Sequence, residues 1–570
     1  MSNPSRMRKG VLLGVAALLL AALAPLARAD EACDRPSWPM YGHDLEHSFS
    51  QDPGGASVTT RHVPTLVPKW VVHAKDSVTA SPTVVDGRVY VGSWDGTFYA
   101  IDAATGSTTR PEGWTFTIDD NHHVAFGRIV SSAAVDRFGP KSTKIVLFGG
   151  GATLYALHAG TGTRLASIDL DPRTPEHRAA DDATGKVPTV EIESSPAVVG
   201  DDIFVGMDVH NQEGVGRTGI VKLRLVKRGA RWAFVPQWKF DPETRQVYTG
   251  AAGLTEGSHS GFGCGGVWSS PAVDVDNDLV TFGTANCDNA QQAMDAQPAE
   301  SWAEASWAIK ASTGELVRQF TPADEFATRD AKLAEAAADD DFGASPNVLR
   351  FPGATPKDPD RTLVGHGRKS ADYYVWDVAT GAEVWRTKAG QAGRVSGGFA
   401  VGGFLGTPAV QVDAKGYAVR IVGATAIPLP SQTDDPAQLA DQVDRMTWSV
   451  RALDPATGKV LWVHRLAGPS YGATTIANGV VFIPDTFTDT VQALDAATGL
   501  LLWTAPLIGP PASAPAVVGD SIYLGSGTRE TDAEFKGARD TGIPTEDLAS
   551  IAGPHPLSPL SGITAFKLAS

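Results

Sequence analysis

Cysteine is nearly absent from this chain: three in 570 residues, at positions 33, 264 and 287, too few for a disulfide-built scaffold of this size. There is no C-x-x-C-H, which excludes an encoded covalent c-type haem. The histidines do not fall into a zinc-site pattern either. His43 and His47 lie in YGHDLEH, a segment that reads extended, His122-His123 lies in a loop, and neither pair has enough partners. No G-x-S-x-G, P-loop or dinucleotide fingerprint sits in the strand–turn–helix context its chemistry requires. Positive charge is scarce. Lys and Arg number 48 against 64 Asp and Glu, a formal net charge of −16 that argues against nucleic acid and anionic lipid as partners. Beyond the N-terminus no stretch is apolar enough to cross a bilayer.

What is present begins with a targeting segment. Arg6, Arg8 and Lys9 precede the apolar run VLLGVAALLLAALAPLA, and Ala27-Arg28-Ala29 fits a small-x-small cleavage site before Asp30. Residues 1–29 therefore read as a signal peptide, with a signal anchor as the alternative, and the expected product is exported, to the periplasm or beyond the cell. That segment holds four basic residues and no acid, so the remainder carries −20. Cys264 and Cys287 bracket one predicted hairpin, which could bring their Cα atoms within bridging range. A pairing through Cys33 stays open.

Glycine (60) and proline (38) favour many turns over long helices, and 42% hydrophobic residues suffice for a large core. The turns are periodic. SPTVVDGRVYVGSWDGTFYAIDAATG, from Ser81 to Gly106, reads as three short strands separated by Asp-Gly turns and closed by Ala-Thr-Gly. Its first strand recurs at Ser131, Ser194, Ser269, Gly343, Gly406, Gly472 and Ser513, making eight units. The third strand and its turn recur as YALHAGTG, WAIKASTG, YVWDVATG, RALDPATG and QALDAATG, and a fourth strand often carries Trp, as in GKVLW and GLLLW. The last unit lacks a fourth strand, while PKWVVHA (Pro68 to Ala74) is a strand without a hairpin. Pairing the two closes a ring and removes an open edge, whereas a solenoid would need polar caps that are not there. The expected fold is all-β: one eight-bladed β-propeller of four-stranded antiparallel blades over residues 30–570.

The repeat resembles that of pyrroloquinoline quinone (PQQ) propeller proteins. The order of features along nearly the whole mature chain resembles the quinoprotein alcohol dehydrogenases, the polyvinyl-alcohol-dehydrogenase-like branch in particular. Non-catalytic propellers such as outer-membrane assembly factors share the repeat, so residues outside its consensus carry the functional expectation. Glu213, four residues before Arg217, resembles the family Glu that binds Ca²⁺. Asn286 in FGTAN resembles a second calcium ligand. Asp341 in DDDFGASP stands at the place of the catalytic Asp and is also a candidate metal ligand. Lys369 in GHGRKSADYY matches the Lys that contacts the quinone, Trp268 in GGVW resembles its stacking platform, and Arg128 in FGRIVSS is placed to meet a cofactor carboxylate.

The chemistry is coherent with those residue types. Ca²⁺ takes oxygen ligands, a planar anionic quinone suits an aromatic face with a cation beside it, and a carboxylate can act as general base on an alcohol O–H. The resemblance thus implies PQQ- and Ca²⁺-dependent oxidation of a polymeric, small or sugar alcohol. Electrons would pass to a separate acceptor such as a cytochrome c. The sequence departs from the family in having no adjacent Cys-Cys pair, Asp340 in place of an aromatic, Cys287 after Asn286 in place of Pro, and no Trp in SGGFAVGGFLGTPAV, where Phe404 is nearest. The rival expectation is a non-enzymatic propeller scaffold that binds a protein or polymer.

Overall fold

The computed structural model describes residues 36–569 apart from 52–54, 123, 125, 172, 175, 177, 178, 181, 182, 184–188, 211–217, 258–264, 286–302, 323–340, 354, 356, 390–402, 426–448, 467–469 and 529–559. Eight antiparallel sheets follow one another along the chain. Blade one is Thr83–Val85, Arg88–Gly92, Thr97–Asp102 and Trp114–Thr117, hydrogen-bonded in that order, and the others repeat the plan. Blade three is the exception: its third and fourth strands lengthen to Gly219–Arg228 and Arg231–Asp241, and two short strands join the sheet. Leu66–Ala74 pairs antiparallel with Ser561–Leu568, with Trp70 opposite Ala565 and Ala74 opposite Ser561, as the ring-closure argument requires. The insertions read as short helices in 325–341 and 434–446, and the signal peptide, lie almost entirely outside the described residues.

The hairpins follow from their turn residues. Asp86 and Gly87 both take positive φ (51° and 76°), as do Asn478 and Gly479 (46° and 76°), the pair of left-handed residues that a two-residue hairpin turn demands. The Asp-Ala-Ala-Thr-Gly turn is held by its own side chains. Asp102 Oδ1 accepts from the amides of Ala104 and Thr105 and from the Thr105 hydroxyl. The fourth-strand tryptophan then docks on that turn in the next blade. The indole N–H of Trp70 donates to the Ala103 carbonyl at 3.1 Å, Trp114 to Ala159 at 3.0 Å, Trp385 to Pro455 at 3.0 Å and Trp462 to Ala496 at 2.9 Å.

The Ser-Ser doublets explain themselves at the seams. The first serine closes its own blade: Gly283 N–H donates to Ser269 Oγ at 3.0 Å, and Gly525 N–H to Ser513 Oγ at 2.6 Å. The second serine accepts from the backbone of the preceding blade. Ser81 N–H bonds Ser132 Oγ, Ser132 N–H bonds Ser195, Ser195 N–H bonds Ser270, Ser270 N–H bonds Ser345, and Ser345 N–H bonds Thr407, at 2.8–3.0 Å. Ala409 N–H to Thr474 Oγ1, Thr475 Oγ1 to the Pro515 carbonyl, and Ala514 N–H to Ser81 Oγ complete the circuit. Each blade is thus tied to the next by a buried hydroxyl.

Residues 38–57 are not a passive lead-in to the first blade. Val135 N–H donates to the Pro39 carbonyl, Val273 to Leu45, Val348 to Glu46, Val410 to Ser48 and Ile476 to Phe49, at 2.7–2.9 Å, while Trp38 pairs with Val84 and Ser57 with Gly519. Among the described residues, the segment thereby bonds the first strand, or the turn just after it, in every blade but the third. Nor is it extended: His43, His47 and Phe49 take φ of 74°, 55° and 49°, because the strap must turn repeatedly to meet one blade after another. His47 Nδ1 donates to the Pro346 carbonyl at 3.1 Å, Tyr41 Oη meets Thr407 Oγ1 at 2.9 Å, and Arg350 joins Glu46 to Asp274 and Asp276.

Two measurements follow. Ser195→Ala strips the Ser132 amide of its acceptor in a buried seam, and chemical denaturation should show a loss of about 1–3 kcal/mol; unchanged stability would mean that the belt does not bind the ring. Burial lifts the Glu46 carboxyl from 4.5 to about 6, against the pull of Arg350 and with the push of Asp44 and Asp274. The fold therefore favours the protonated acid, and that contribution is lost as pH rises from 4.5 through 6. Relative to Glu46→Gln, the native chain should lose about 2 kcal/mol of unfolding free energy across that window.

Candidate functional site

In an antiparallel blade the start of the first strand and the link between the second and third strands lie at the same end of the sheet. Three of the predicted residues sit in such places. Trp268 precedes the first strand of blade four, Ala272–Asp274. Asp341 precedes the first strand of blade five, Asn347–Phe351, and Lys369 lies between Arg361–Gly367 and Asp372–Asp377 of that blade.

The structure brings these three together. Lys369 Nζ donates to Asp341 Oδ2 at 3.0 Å, and the Trp268 indole N–H donates to the same oxygen at 3.2 Å. The ammonium lies 5.4 Å from the centroid of the Trp268 ring, within cation–π range. A backbone bond from Lys369 N–H to the Asp341 carbonyl, 3.0 Å, fixes the two loops to each other as well. Asp341 is buried at 3% exposure and Trp268 is half-buried. The result is an aromatic face, a cation and a carboxylate within one contact distance, on loops from two blades.

Residues that sequence reasoning did not single out support this trio. Phe342 places its ring 4.6 Å from that of His366, and the Arg368 guanidinium covers the same Phe342 ring at 5.2 Å. The pairs Asp341-Phe342 and Arg368-Lys369 thus grip each other along two consecutive positions. The only sequence signal was proximity to the predicted Asp and Lys. Phe404, the nearest substitute for the expected Trp, is 2% exposed and packs its ring 5.8 Å from Tyr373 in the core of blades five and six.

Glu213, Arg217, Asn286 and the three cysteines lie outside the described residues. Arg128 is described, and its contacts are with blades one and two: its guanidinium donates to the Asp120 carbonyl, and its amide donates to that of Trp94 at 3.1 Å. Beside it His122 bridges Asp120 at 3.0 Å and Asp171 at 3.2 Å. Burial would lower the imidazole, but hydrogen bonds to Asp120 and Asp171 raise it to about 9, so it is a cation at neutral pH. His122 thus has a carboxylate setting that its loop context did not announce.

The Lys369–Asp341 pair is testable on stability alone. Side-chain exposures of 11% and 4% leave little water to replace a lost partner. Lys369→Met should cost about 3–5 kcal/mol, and adding Asp341→Asn should recover part of it, with a coupling above about 1 kcal/mol in the double-mutant cycle. Additive effects would show that the two charges do not depend on each other.

The fold has counterparts among solved structures. The chain resembles the quinohemoprotein alcohol dehydrogenase ADHIIG from Pseudomonas putida HK5 at 17% identity and a TM-score of 0.64, over 94% of this chain and 80% of that one. A europium-containing methanol dehydrogenase matches at 16% identity and a TM-score of 0.61, over 94% and 98%. The quinohemoprotein alcohol dehydrogenase from Comamonas testosteroni matches at 16% and 0.59, over 94% and 80%. No curated protein sequence matches. Residues 447–537 are similar to the family profile of the outer membrane protein assembly factor BamB. Residues 38–395, more than half of the chain, match the profile described as glucose/ethanol/alcohol dehydrogenase, β-propeller domain, and the chain belongs to that PQQ-propeller family.

Proposed function

We propose that the protein is an exported quinoprotein alcohol dehydrogenase. It would use PQQ and Ca²⁺ to oxidise a polymeric, small or sugar alcohol to an aldehyde or ketone. The observation that carries this reading is the Asp341 carboxylate held by both the Lys369 ammonium and the indole N–H of Trp268, with the ammonium over the indole ring. Family membership supports it.

The residues present fit the cofactor. A half-buried indole with a cation at its face suits a flat, anionic ring system; Arg128, whose guanidinium donates to the Asp120 carbonyl, is the residue proposed to meet a carboxylate of it. Glu213, Asn286 and Asp341 would supply the oxygen donors that a hard cation such as Ca²⁺ takes. The chemistry that bound PQQ supplies is acceptance of a hydride, two electrons, from the carbinol carbon. The chain's own part is the proton. Asp341 accepts it from the alcohol O–H while Trp268 and Lys369, both bonded to Oδ2, hold the carboxylate in one orientation. Burial of Asp341 excludes the water that would compete for the proton. The electrons would pass to a separate acceptor. Residues 1–29 direct export to the periplasm or beyond. Among the described residues no helix is long and apolar enough to cross a membrane.

The similarity of residues 447–537 to an assembly-factor propeller favours a second reading, a non-enzymatic scaffold. Calorimetric titration of the mature protein with PQQ, with and without Ca²⁺, separates the two. Tight binding that requires Ca²⁺ and is lost in Glu213→Ala is the expected result. Asp341→Asn, which keeps an amide oxygen, should still bind but lose about 10²–10⁴ in turnover with an artificial acceptor. Absence of PQQ binding in either condition would move the reading to the scaffold.

A further inference from the structure

His366 lies in the sequence GHGRKS, three residues before Lys369, and is fully buried. Its Nε2 is 2.8 Å from the Ala344 carbonyl and its Nδ1 is 2.8 Å from Ser306 Oγ. A carbonyl only accepts, so Nε2 carries the proton and donates to Ala344. The indole N–H of Trp376 donates to Ser306 Oγ at 3.1 Å, leaving the serine hydroxyl proton to reach Nδ1. Every proton in the chain Trp376, Ser306, His366, Ala344 therefore has one direction. Burial lowers the imidazole to about 3, so the ring stays neutral and this polarity holds across the working pH range.

What the chain holds is the segment that begins at Asp341. Ala344 lies three residues beyond Asp341, and Phe342 between them sets its ring against the imidazole. Gly283 leaves room for both: a Cβ there would lie 2.9 Å from His366 Cε1 and 2.9 Å from Phe342 Cβ. Ser306 belongs to blade four, Ser306–Lys310, whereas His366 and Trp376 belong to blade five. The anchor thus spans the blade junction from which Asp341 emerges.

We propose that His366, oriented by Ser306 and Trp376, is the positioning residue that fixes the Asp341 segment against the Lys369 loop. It touches neither the base nor the cation and acts through Ala344 and Phe342. The catalytic meaning of that role rests on the reading of Asp341 as the base. The positional claim can be read without it.

The test is hydrogen exchange on the protein without cofactor, comparing His366→Asn, His366→Gln and Ser306→Ala. Asn ends where Nδ1 was, so it loses the bond to Ala344, while the amide nitrogen of Gln reaches the Nε2 position and keeps it. The Lys369 amide, which bonds the Asp341 carbonyl, and the amides of residues 342–345 should exchange about tenfold faster in His366→Asn and within about twofold of wild type in His366→Gln. Unchanged exchange in His366→Asn, or equal acceleration in both variants, overturns the proposal. If His366→Asn does not fold, Ser306→Ala decides, since it frees the ring to turn; acceleration at the same amides supports the anchor and its absence overturns it. Failure of PQQ binding would sink the functional reading and leave this result standing.

Discussion

A ring of separate sheets exists only if each sheet is bonded to the next and the last to the first, since any open junction exposes strand edges and apolar faces at once. Here that constraint is met twice. Leu66–Ala74 and Ser561–Leu568 close the ring by strand pairing, and the belt of serine and threonine hydroxyls ties every neighbouring pair of blades. The belt is economical because one hydroxyl does two things: it satisfies a backbone amide that strand pairing cannot reach, and it does so across a junction. The docked tryptophans repeat the logic farther out, with an indole N–H donating to a turn carbonyl in the next blade.

The N-terminal strap depends on the same geometry. First strands of neighbouring blades touch one another at most junctions, and in seven blades the first strand, or the turn just after it, offers an amide to the strap. Residues 38–57 meet those amides one blade at a time. The loops that carry Trp268, Asp341 and Lys369 emerge where first strands begin, so a rigid inner ring is what gives two different blades a fixed separation at the candidate site. A carboxylate, an ammonium and an indole can be held in mutual contact only on such a frame, because each is costly to bury alone.

Much of the architecture could be read from the chain. Alternating strands, Asp-Gly and Asn-Gly turns and the Thr-Gly closure are local codes, and eight copies of the first-strand signature specify eight sheets. The orphan strand before the first unit and the incomplete last unit specify their own pairing. The strap could not be read in this way. Its bonds are backbone carbonyls meeting amides some forty to several hundred positions away, and no side-chain pattern announces them. His43 and His47 offered only a spacing that suggested nothing.

The candidate site divides along the same line. The resemblance to the quinoprotein family, carried by residues outside the repeat consensus, pointed to Asp341, Lys369 and Trp268. That they meet through one oxygen, Oδ2, was decided by two loops from adjacent blades converging in space. The supporting anchor was invisible for the same reason. His366 and Ser306 are unremarkable in sequence, sixty positions apart, and acquire a fixed tautomer only when the junction of blades four and five buries them together. Local turn chemistry and periodicity determined the blades; long-range packing, which no window of sequence contains, decided what stands at their ends.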